Sequence, residues 1–558
     1  MISVLAPLPV LLPLLGAAGT LLVGRHPRTQ RTVSLVVLTA VVAVSVALLL
    51  QADTGGPTAV SVGGWPVPLG IVLVVDRLSA LMLVVASTVA LGVLWFAVGQ
   101  GSADGSEETP LSIFHPTFLV LIAGVSNAFL AGDLFNLYVG FEILLMASYV
   151  LLTLGGSAPR VRAGITYVVV SLTSSLIFLA AIGLVYASTG TVNMAQLAGR
   201  LAELPPGMQL LIQSMLLIAF SIKAAVFPLS AWLPDSYPTA PAPVTAVFAG
   251  LLTKVGVYAI IRTQTLLFPD GGLDDLLMWA GLATMLIGIL GAVAQTDIRR
   301  MLSFTLVSHI GYLVFGIALG TAAGLAGAIF YVAHHIAIQT TLFLVAGLIE
   351  RQGGSTSVNR LGGLAKRSPL IAVLFFVPAM NLAGIPPFSG FIGKLGLLQA
   401  GVADGSPLAL TVVAGGVVTS LLTLLAVARV WTRAFWRPAS QEPLADTAAA
   451  AARDAGDREP ELQTERRAAW SAAWERHEQV ATAGTAVSAT RATAVRALRP
   501  LPALMVGATA AMVAVTVSLT GVAGWLYGYT DRAAADLLDR TSYVEAVFDG
   551  PVPAEEGE

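Results

Sequence analysis

The sequence predicts an all-α membrane protein of about fourteen transmembrane helices, and three observations lead to that fold class. Of the 558 residues, 56% are hydrophobic and only 11% are charged, whereas soluble domains carry about 25% charged residues. Apolar runs that reach the roughly 20 residues needed to cross a bilayer recur along most of the chain. Basic residues are concentrated in alternate loops between those runs. Lipid must therefore cover most of the protein surface.

The apolar runs place fourteen spans on the sequence. They lie at 2–24, 32–51, 76–99, 113–131, 133–154, 161–187, 208–232, 240–262, 274–295, 299–319, 323–349, 368–400, 407–436 and 501–528. The first run lacks a basic segment before it and is longer than the apolar part of a signal peptide, so it is interpreted as a span. Two spans are predicted to break, 208–232 at Pro228 and 368–400 at Pro386 and Pro387, because proline interrupts helix hydrogen bonding.

The loops between the spans predict the orientation of the chain. Basic residues follow the first, fifth, ninth, eleventh and thirteenth spans, namely Arg25, Arg28, Arg31, Arg160, Arg162, Arg299, Arg300, Arg351, Arg360, Lys366, Arg367, Arg429, Arg433 and Arg437. The loops that alternate with these carry little or no base. Since cytoplasmic loops are enriched in Arg and Lys, both termini are predicted to face outward.

Four regions follow from this division. They are a three-span region at 1–112, a core at 113–436, a cytoplasmic Ala/Arg-rich segment at 437–499, and the final span with an acidic, exposed, outward-facing tail at 500–558. The Ala/Arg-rich segment contains Trp470 and Trp474, which fits a helix lying on the membrane surface. A mobile linker fits the same composition, and both interpretations stay open.

The core divides into two sets of five spans, the fourth to eighth and the ninth to thirteenth. An odd number of spans makes the second set begin on the opposite side of the membrane. The fourth span of each set combines a buried lysine with a proline break, Lys223 with Pro228 and Lys394 with Pro386-Pro387. Broken helices in corresponding positions of two halves are typical of inverted-repeat transporters. The sequence therefore predicts two inverted five-helix repeats.

Lysine is distributed differently from arginine in this chain. There are four lysines against 26 arginines (30 basic residues less 4), and Lys223, Lys254 and Lys394 lie inside apolar runs, whereas Lys366 lies in a loop. A lysine at the bilayer centre costs about 2.5–3.5 kcal/mol on insertion scales. A buried ammonium can release its proton near neutral pH, whereas guanidinium effectively cannot. This distribution indicates groups that titrate inside the membrane.

Glu142 is the acidic residue that matches these lysines. It lies nine residues after Asp133, or about 13 Å along a helix at 1.5 Å per residue, near the middle of a ~30 Å hydrocarbon core. A carboxylate at that depth is expected to share a proton with a neighbouring lysine, and Lys223 is the predicted partner. An interhelical ion pair with a purely structural role, or lysines that extend to the interface, are the alternatives.

Histidines extend the set of titratable side chains. His334 and His335 lie in the middle of a span, and His309 lies within the preceding span. Imidazole changes charge near physiological pH, so His334 or His335 is predicted to relay protons, and His309 is a further candidate. The alternative is that an intramembrane histidine only donates a hydrogen bond to a neighbouring helix. His115, near the start of its span, is interpreted in that way.

Several stretches around these residues carry a family resemblance. They are Phe135-Asn-Leu-Tyr-Val-Gly-Phe-Glu142, Lys223 through Pro228-Leu-Ser-Ala-Trp232-Leu-Pro234-Asp235, Pro241-Ala-Pro243 through Leu251-Leu-Thr-Lys254-Val-Gly256-Val-Tyr258, and Gly384-Ile-Pro386-Pro387-Phe-Ser-Gly390-Phe-Ile-Gly-Lys394. Together they resemble the antiporter-like subunits shared by respiratory complex I, membrane-bound hydrogenases and Mrp-type multisubunit cation/proton antiporters. Within that group they are most similar to the Mrp branch.

The resemblance implies a proton route along the membrane midplane. Glu142 and Lys223 would form its input pair, Lys254 the central relay and Lys394 the exit group, with His334 or His335 and water between them. It further implies other membrane subunits as partners, Na⁺ and H⁺ as transported ions, a bacterial cell membrane as the location, and neither an enzymatic activity nor a cofactor.

Other functions remain open from the sequence. The same fold serves in complex I-type and hydrogenase-type oxidoreductases, where redox chemistry in other subunits drives pumping. A structural scaffold and a haem-binding bundle are further alternatives. The chain has no cysteine, which excludes disulfides and thiolate-bound metals or iron–sulfur clusters on this chain. Its formal net charge of −2 does not favour nucleic acid as a partner.

Overall fold

In the computed structural model, residues 2–101, 113–438 and 501–548 are described, and most of them are helical. The interpretations of segment 437–499 fall almost entirely outside these residues. The N-terminal region comprises α1 (Ile2–Leu5), α2 (Leu8–Leu22), α3 (Pro27–Gly55), strands β1 (Thr58–Ser61) and β2 (Val72–Val75), and α4 (Arg77–Gln100). The two strands pair antiparallel, with Thr58 opposite Val75.

The core follows as a series of helices. They are α5 (Phe114–Leu130), α6 (Leu134–Thr153), α7 (Ala158–Thr189), α8 (Met194–Arg200), α9 (Pro206–Ala224), α10 (Trp232–Ser236), α11 (Ala242–Val247), α12 (Thr253–Leu266), α13 (Asp274–Ala294), α14 (Ile298–Ala318), α15 (Ala322–Gly353), α16 (Leu364–Arg367), α17 (Pro369–Ala383), α18 (Ser389–Asp404) and α19 (Pro407–Val430). A π-helical turn, Phe248–Leu252, joins α11 to α12, and a second, Trp431–Trp436, extends α19. After the gap come α20 (Ala503–Gly521), α21 (Ala523–Asp539) and α22 (Thr541–Phe548).

Among the described residues, eleven helices are long and apolar enough to cross a membrane, and α2, α5 and α17 are shorter apolar helices. Every predicted span coincides with one of these or with a broken pair of helices. The all-α membrane fold is therefore confirmed. The count of fourteen spans and the two inverted repeats stay predictions.

The helices are interrupted in the two regions where breaks were predicted. Helix α9 ends at Ala224, because Ala225 adopts a left-handed conformation at φ 60°, and Pro228 follows before α10 begins. Helix α17 ends at Ala383, where Gly384 has φ 85°, a conformation that glycine adopts without strain. Pro386 and Pro387 then separate it from α18.

The basic loops meet at one end of the helix bundle. Arg300 at the start of α14 forms an ion pair of 2.8 Å with Asp235 of α10, and Arg160 of α7 donates to the Thr239 carbonyl (3.2 Å). We call this the basic end. The opposite end carries the β1–β2 pair, and we call it the hairpin end.

The C-terminal tail differs from the exposed segment that its charges suggested. Helices α21 and α22 lie on the hairpin end, with apolar side chains buried at helical spacing: Tyr529, Ala533, Leu537, Tyr543 and Val547. The acidic residues lie on the other face, where Asp536 pairs with Arg77. The prediction of an exposed tail rested on its acidic residues and did not take this amphipathic pattern into account.

One backbone arrangement occurs twice. The Leu134 backbone nitrogen donates to the Val192 carbonyl, and the Ile298 backbone nitrogen donates to the Thr356 carbonyl. Donor and acceptor of the second hydrogen bond each lie 164 positions after those of the first. Both arrangements contain an antiparallel bridge, Asp133 with Asn193 and Asp297 with Ser357. The first lies at the hairpin end, since Gly132 also bonds to Val72 of β2, and the second lies at the basic end.

Candidate functional site

Glu142 and Lys223 are joined through a hydroxyl group. The Ser175 hydroxyl on α7 donates a hydrogen bond to the Glu142 carboxylate on α6. The Lys223 ammonium on α9 donates to the Ser175 hydroxyl oxygen at 3.1 Å. Lys223 Nζ also lies 5.1 Å from the centre of the Phe141 ring, where a cation is stabilised by the ring face. Ser175 therefore occupies the position between the two charges that the sequence predicted to pair directly.

Lys223 is held close to the helix that carries Lys254. It is buried in the last turn of α9. A Cβ added at Gly256 would come within 2.7 Å of the Ala224 backbone nitrogen, so α12 and α9 are in backbone contact beside the two lysines. A small cavity lined by Lys223, Trp232 and Leu252 opens in the same region. The space beside Lys223 is therefore partly unfilled by side chains.

Lys254 is fully buried and bonds to its own helix. Its Nζ donates to the Ala249 carbonyl at 2.7 Å, within the π-helical turn that joins α11 to α12. A π turn widens the helix and changes which carbonyls are free to accept, and such turns occur often at functional sites. Among the described residues, no carboxylate lies within ion-pair distance of Lys254. The carbonyl of the π-helical turn is therefore the acceptor that satisfies its ammonium.

Three histidines cluster between Lys254 and Lys394. The ring centres of His335 and His309 are 5.5 Å apart, and both ring nitrogens of His335 are buried without a hydrogen-bond partner among the described residues. His334 Nδ1 lies 3.1 Å from the Ser389 hydroxyl. His334 thus contacts the start of α18, the helix that carries Lys394.

His309 has a partner on each ring nitrogen. Nδ1 lies 3.1 Å from the Tyr331 hydroxyl, and Nε2 lies 3.2 Å from Thr423 Oγ1 on α19. Both hydroxyls can donate or accept, so this arrangement suits either tautomer. His115 lies elsewhere, in α5, with Nδ1 3.0 Å from Ser34 Oγ.

Lys394 lies at the second helix break. Its Nζ donates to the carbonyls of Leu382 (3.1 Å) and Ala383 (3.2 Å) in the last turn of α17, where the helix dipole favours a cation. The Tyr312 ring lies 5.2 Å from the ammonium. Lys394 is only 3% exposed. Both Lys394 and Lys223 bond to internal acceptors, so neither extends to the interface in the way that one alternative supposed.

These groups form a line from Glu142 to Lys394, although direct hydrogen bonds do not connect all of it. Within the described residues, no direct hydrogen bond joins Lys223 to Lys254, Lys254 to His335, or any of the three histidines to Lys394. Buried polar groups of this kind commonly bind water. Amine, imidazole and carboxylate groups can each bind and release a proton, so the line is chemically suited to proton transfer where water completes these intervals.

Sequence reasoning missed several members of this site. Ser175, Ser389 and Tyr331 have no charge, so they did not stand out in apolar runs. The group Ser171, Ser174 and Ser175 at helical spacing was the available signal for α7. The described residues contain no group of three or more His, Asp or Glu side chains that could hold a metal ion.

Comparison with known proteins places this geometry in context. The model of the NADH:quinone oxidoreductase/Mrp antiporter membrane family matches residues 131–423. The chain is 41% identical over 433 residues to the D-type subunit of the Na⁺/H⁺ antiporter of Alkalihalophilus pseudofirmus, and the match covers 77% of this chain and 86% of that relative.

Two solved structures are similar throughout. A chain of the Mrp complex from Dietzia sp. DQ12-45-1b has 34% identity and a TM-score of 0.82, covering 98% of this chain and 99% of that one. A chain of respiratory complex I from Thermus thermophilus has 23% identity and a TM-score of 0.74, covering 96% and 99%. The second comparison supports the shared fold alone.

Proposed function

The chain belongs to the NADH:quinone oxidoreductase/Mrp antiporter membrane family, and from this premise we propose that it is the D-type, proton-conducting subunit of a multisubunit Na⁺/H⁺ antiporter in a bacterial cell membrane. The relative with 41% identity is named as such a subunit, whereas the complex I chain has 23% identity. The antiporter is therefore favoured over the oxidoreductase as the complex in which this chain works. Its partners would be the other membrane subunits of that antiporter.

The contact of Glu142 with Lys223 through Ser175 is the observation that carries the mechanism. When a proton arrives on Glu142, the neutral carboxyl would no longer stabilise the Lys223 charge, and the ammonium would release its proton toward Lys254. The Ser175 hydroxyl can then reverse its direction, accepting from the Glu142 carboxyl and donating to the neutral Lys223 amine. Lys254, His335 or His334, and Lys394 would receive the proton in that order.

The orientation of the route follows from the two ends of the bundle. The basic end would face the cytoplasm and the hairpin end the outside, with both termini outward. Because the chain contains no cysteine, single cysteines report this directly. Leu69→Cys, at an 81% exposed position of the hairpin end, should react with an impermeant thiol reagent in intact cells. Arg360→Cys, at the basic end, should react only in everted vesicles, and the reverse pattern would overturn the orientation.

The recurring backbone arrangement supports two inverted repeats. Asp133 and Asp297 each precede the second helix of a five-helix set and form the same bridge at opposite ends of the bundle. The third helix of each set, α7 and α15, has 32 residues. The prediction that the second set is an inverted copy of the first is consistent with both features.

Sodium-driven proton movement in everted vesicles carrying the whole complex tests the function. Glu142→Gln should abolish the sodium-dependent collapse of an imposed pH gradient while leaving assembly intact. Glu203→Gln, a change at an exposed position of the hairpin end, is the matched control and should behave as the wild type. Full activity of Glu142→Gln would show that the Glu142–Ser175–Lys223 contact is structural.

A further inference from the structure

A second buried ion pair lies outside the line from Glu142 to Lys394. Arg262 near the end of α12 approaches Asp76 to 2.6 Å, with side-chain exposures of 2% and 7%. Asp76 caps α4, where its carboxylate accepts from the Ser79 backbone nitrogen at 2.8 Å. The Arg262 charge and the hydrogen bond from Ser79 both favour the ionised carboxylate of Asp76. The pair is therefore ionised in a region closed to solvent.

This pair lies at the end of a polar column that begins at Lys254. Lys254, Tyr258 and Arg262 are spaced four residues apart, so they lie on one face of α12. The Tyr258 hydroxyl donates to the Phe129 carbonyl at 2.7 Å and accepts from Arg262 Nη2 at 3.3 Å. A chain of polar groups thus runs from the central lysine toward the hairpin end.

The C-terminal helices cover the end of this column. The Tyr543 ring of α22 lies 5.0 Å from the Arg262 guanidinium and is 4% exposed. Helix α21 is attached beside it, since Tyr529 donates to the Arg77 carbonyl at 2.9 Å and Asp536 pairs with Arg77. The tail closes the one polar column that these residues form between Lys254 and the hairpin end.

We propose that the Asp76–Arg262 pair is a proton barrier, which prevents a proton on Lys254 from escaping along α12 to the outer surface. This inference rests on the proposed function, because it requires Lys254 to carry protons. A fixed arginine charge excludes protons and cations in other membrane pores, and guanidinium does not titrate. Paired in this way, Asp76 is not available as a proton acceptor. The column therefore contains a lysine that titrates at one end and an arginine that does not at the other.

The barrier predicts a specific order of effects among substitutions. Arg262→Met leaves Asp76 buried and unpaired, and an unpaired buried carboxylate takes up a proton readily. The barrier would then become a relay and leak protons. Asp76→Asn in the Arg262→Met background removes that acceptor and should stop the leak. Asp76→Asn alone keeps the arginine charge and should not leak.

The experiment measures decay of an imposed pH gradient in everted vesicles without sodium, using the whole complex. Arg262→Met should accelerate the decay several-fold, and adding Lys254→Met should return it to the wild-type rate. Arg532→Gln is the matched control, because it breaks an exposed ion pair with Asp53 at the same end and should not leak. Arg262→Lys keeps the positive charge but introduces a group that titrates, so it should also leak and carries the test where Arg262→Met does not assemble.

The outcomes separate this inference from the proposed function. Wild-type decay in both assembled Arg262 variants, or an equal leak in Arg262→Met and Arg262→Met/Asp76→Asn, would overturn the barrier and leave an ion pair that only stabilises the fold. If Lys254→Met alone retained full sodium-driven exchange, the proposed route would fail instead. A leak that persists without Lys254 would show that protons reach Arg262 by another path and would also overturn the inference.

Discussion

Asp133 and Asp297 occupy equivalent positions at opposite ends of the helix bundle. Each caps the helix that follows it, by accepting from the backbone nitrogen three residues later, Asn136 at 2.6 Å and Arg300 at 3.0 Å. Each also bridges to the segment after the third helix of its set. Each carboxylate therefore lies at the same kind of junction, between the start of one helix and the segment that follows the next helix, although the sequence surroundings differ.

Asp133 makes the stability of the protein depend on pH. Burial raises its pKa to about 6, so the folded protein favours the protonated carboxyl and loses stability as the pH rises from about 4 to about 6. At about 1.36 kcal/mol per pKa unit, the loss is of the order of 2–3 kcal/mol. Asparagine keeps the capping oxygen without the charge, so Asp133→Asn should be the more stable protein at pH 7 and not at pH 4. Thermal unfolding of the purified complex at both pH values measures this, and an offset that is the same at both would contradict the assignment.

Ser175 should be as necessary for transport as the charges it joins. Ser175→Ala removes a hydroxyl bonded to two charged groups, and hydrogen bonds to charged groups are worth about 1.5–3 kcal/mol. We expect sodium-driven exchange to fall by about tenfold or more, since that range corresponds to one to two decades in rate.

Ser174 supplies the control for this experiment. It is the adjacent residue, equally buried, and its hydroxyl donates to the Ala219 carbonyl at 2.8 Å. Ser174→Ala should therefore retain exchange, and Ser175→Thr should restore much of it. Equal activity in the Ser174→Ala and Ser175→Ala proteins would remove Ser175 from the route.

The charged residues of the site were predictable from sequence because they violate the composition around them. Burying an ionisable side chain at bilayer depth costs free energy, so such residues are rare in membrane spans. This rarity identified Glu142, Lys223, Lys254 and Lys394 in the sequence. Ser175 carries no such cost, since a serine in an apolar helix is satisfied by its own backbone. Only the packing of α7 against α6 and α9 assigns it a role.

The Asp76–Arg262 pair was missed for a different reason. Arg262 falls at the last position of the predicted span 240–262, and Asp76 at the first position of 76–99, where charged residues normally face water. Contact between them depends on how α4 packs near α12, which no local pattern encodes. The buried face of α21 was detectable, because its apolar residues recur at helical spacing, but the acidic residues between them outweighed that signal.

Gly288 is a packing position that should not accept a side chain. A Cβ there would lie 2.5 Å from the Ser308 backbone nitrogen, as one at Gly124 would from the Leu144 nitrogen. Gly288→Ala must separate α13 from α14, and overpacking of this kind costs about 1–3 kcal/mol. Gly183→Ala on α7, where a Cβ meets nothing within 4 Å, is the control. The melting temperature should fall for the first substitution and not for the second, and equal melting temperatures would show that the helices can separate without cost.

Lys394 should require its ability to titrate as well as its charge. Lys394→Arg keeps a cation at the end of α17 but replaces a group that can release a proton with one that effectively cannot. The larger guanidinium must also fit beside Gly384, where Lys394 Cδ already lies 3.1 Å from the position of a Cβ. We expect sodium-driven exchange to be lost in the Lys394→Arg protein. If the complex still assembles, the loss reflects a side chain that cannot titrate and not a failure to fold.

The same substitution at the remaining lysine completes the comparison. Lys366 lies in α16 at the basic end, outside the line of buried groups, so Lys366→Arg should retain full exchange. If Lys394→Arg assembles and also retains exchange, a permanent charge suffices at that position and protons do not leave through its amine. If it assembles and exchange is lost while the fluorescence-monitored pH gradient stays stable without sodium, the amine of Lys394 is a proton carrier, because neither the fold nor the seal of the membrane has changed.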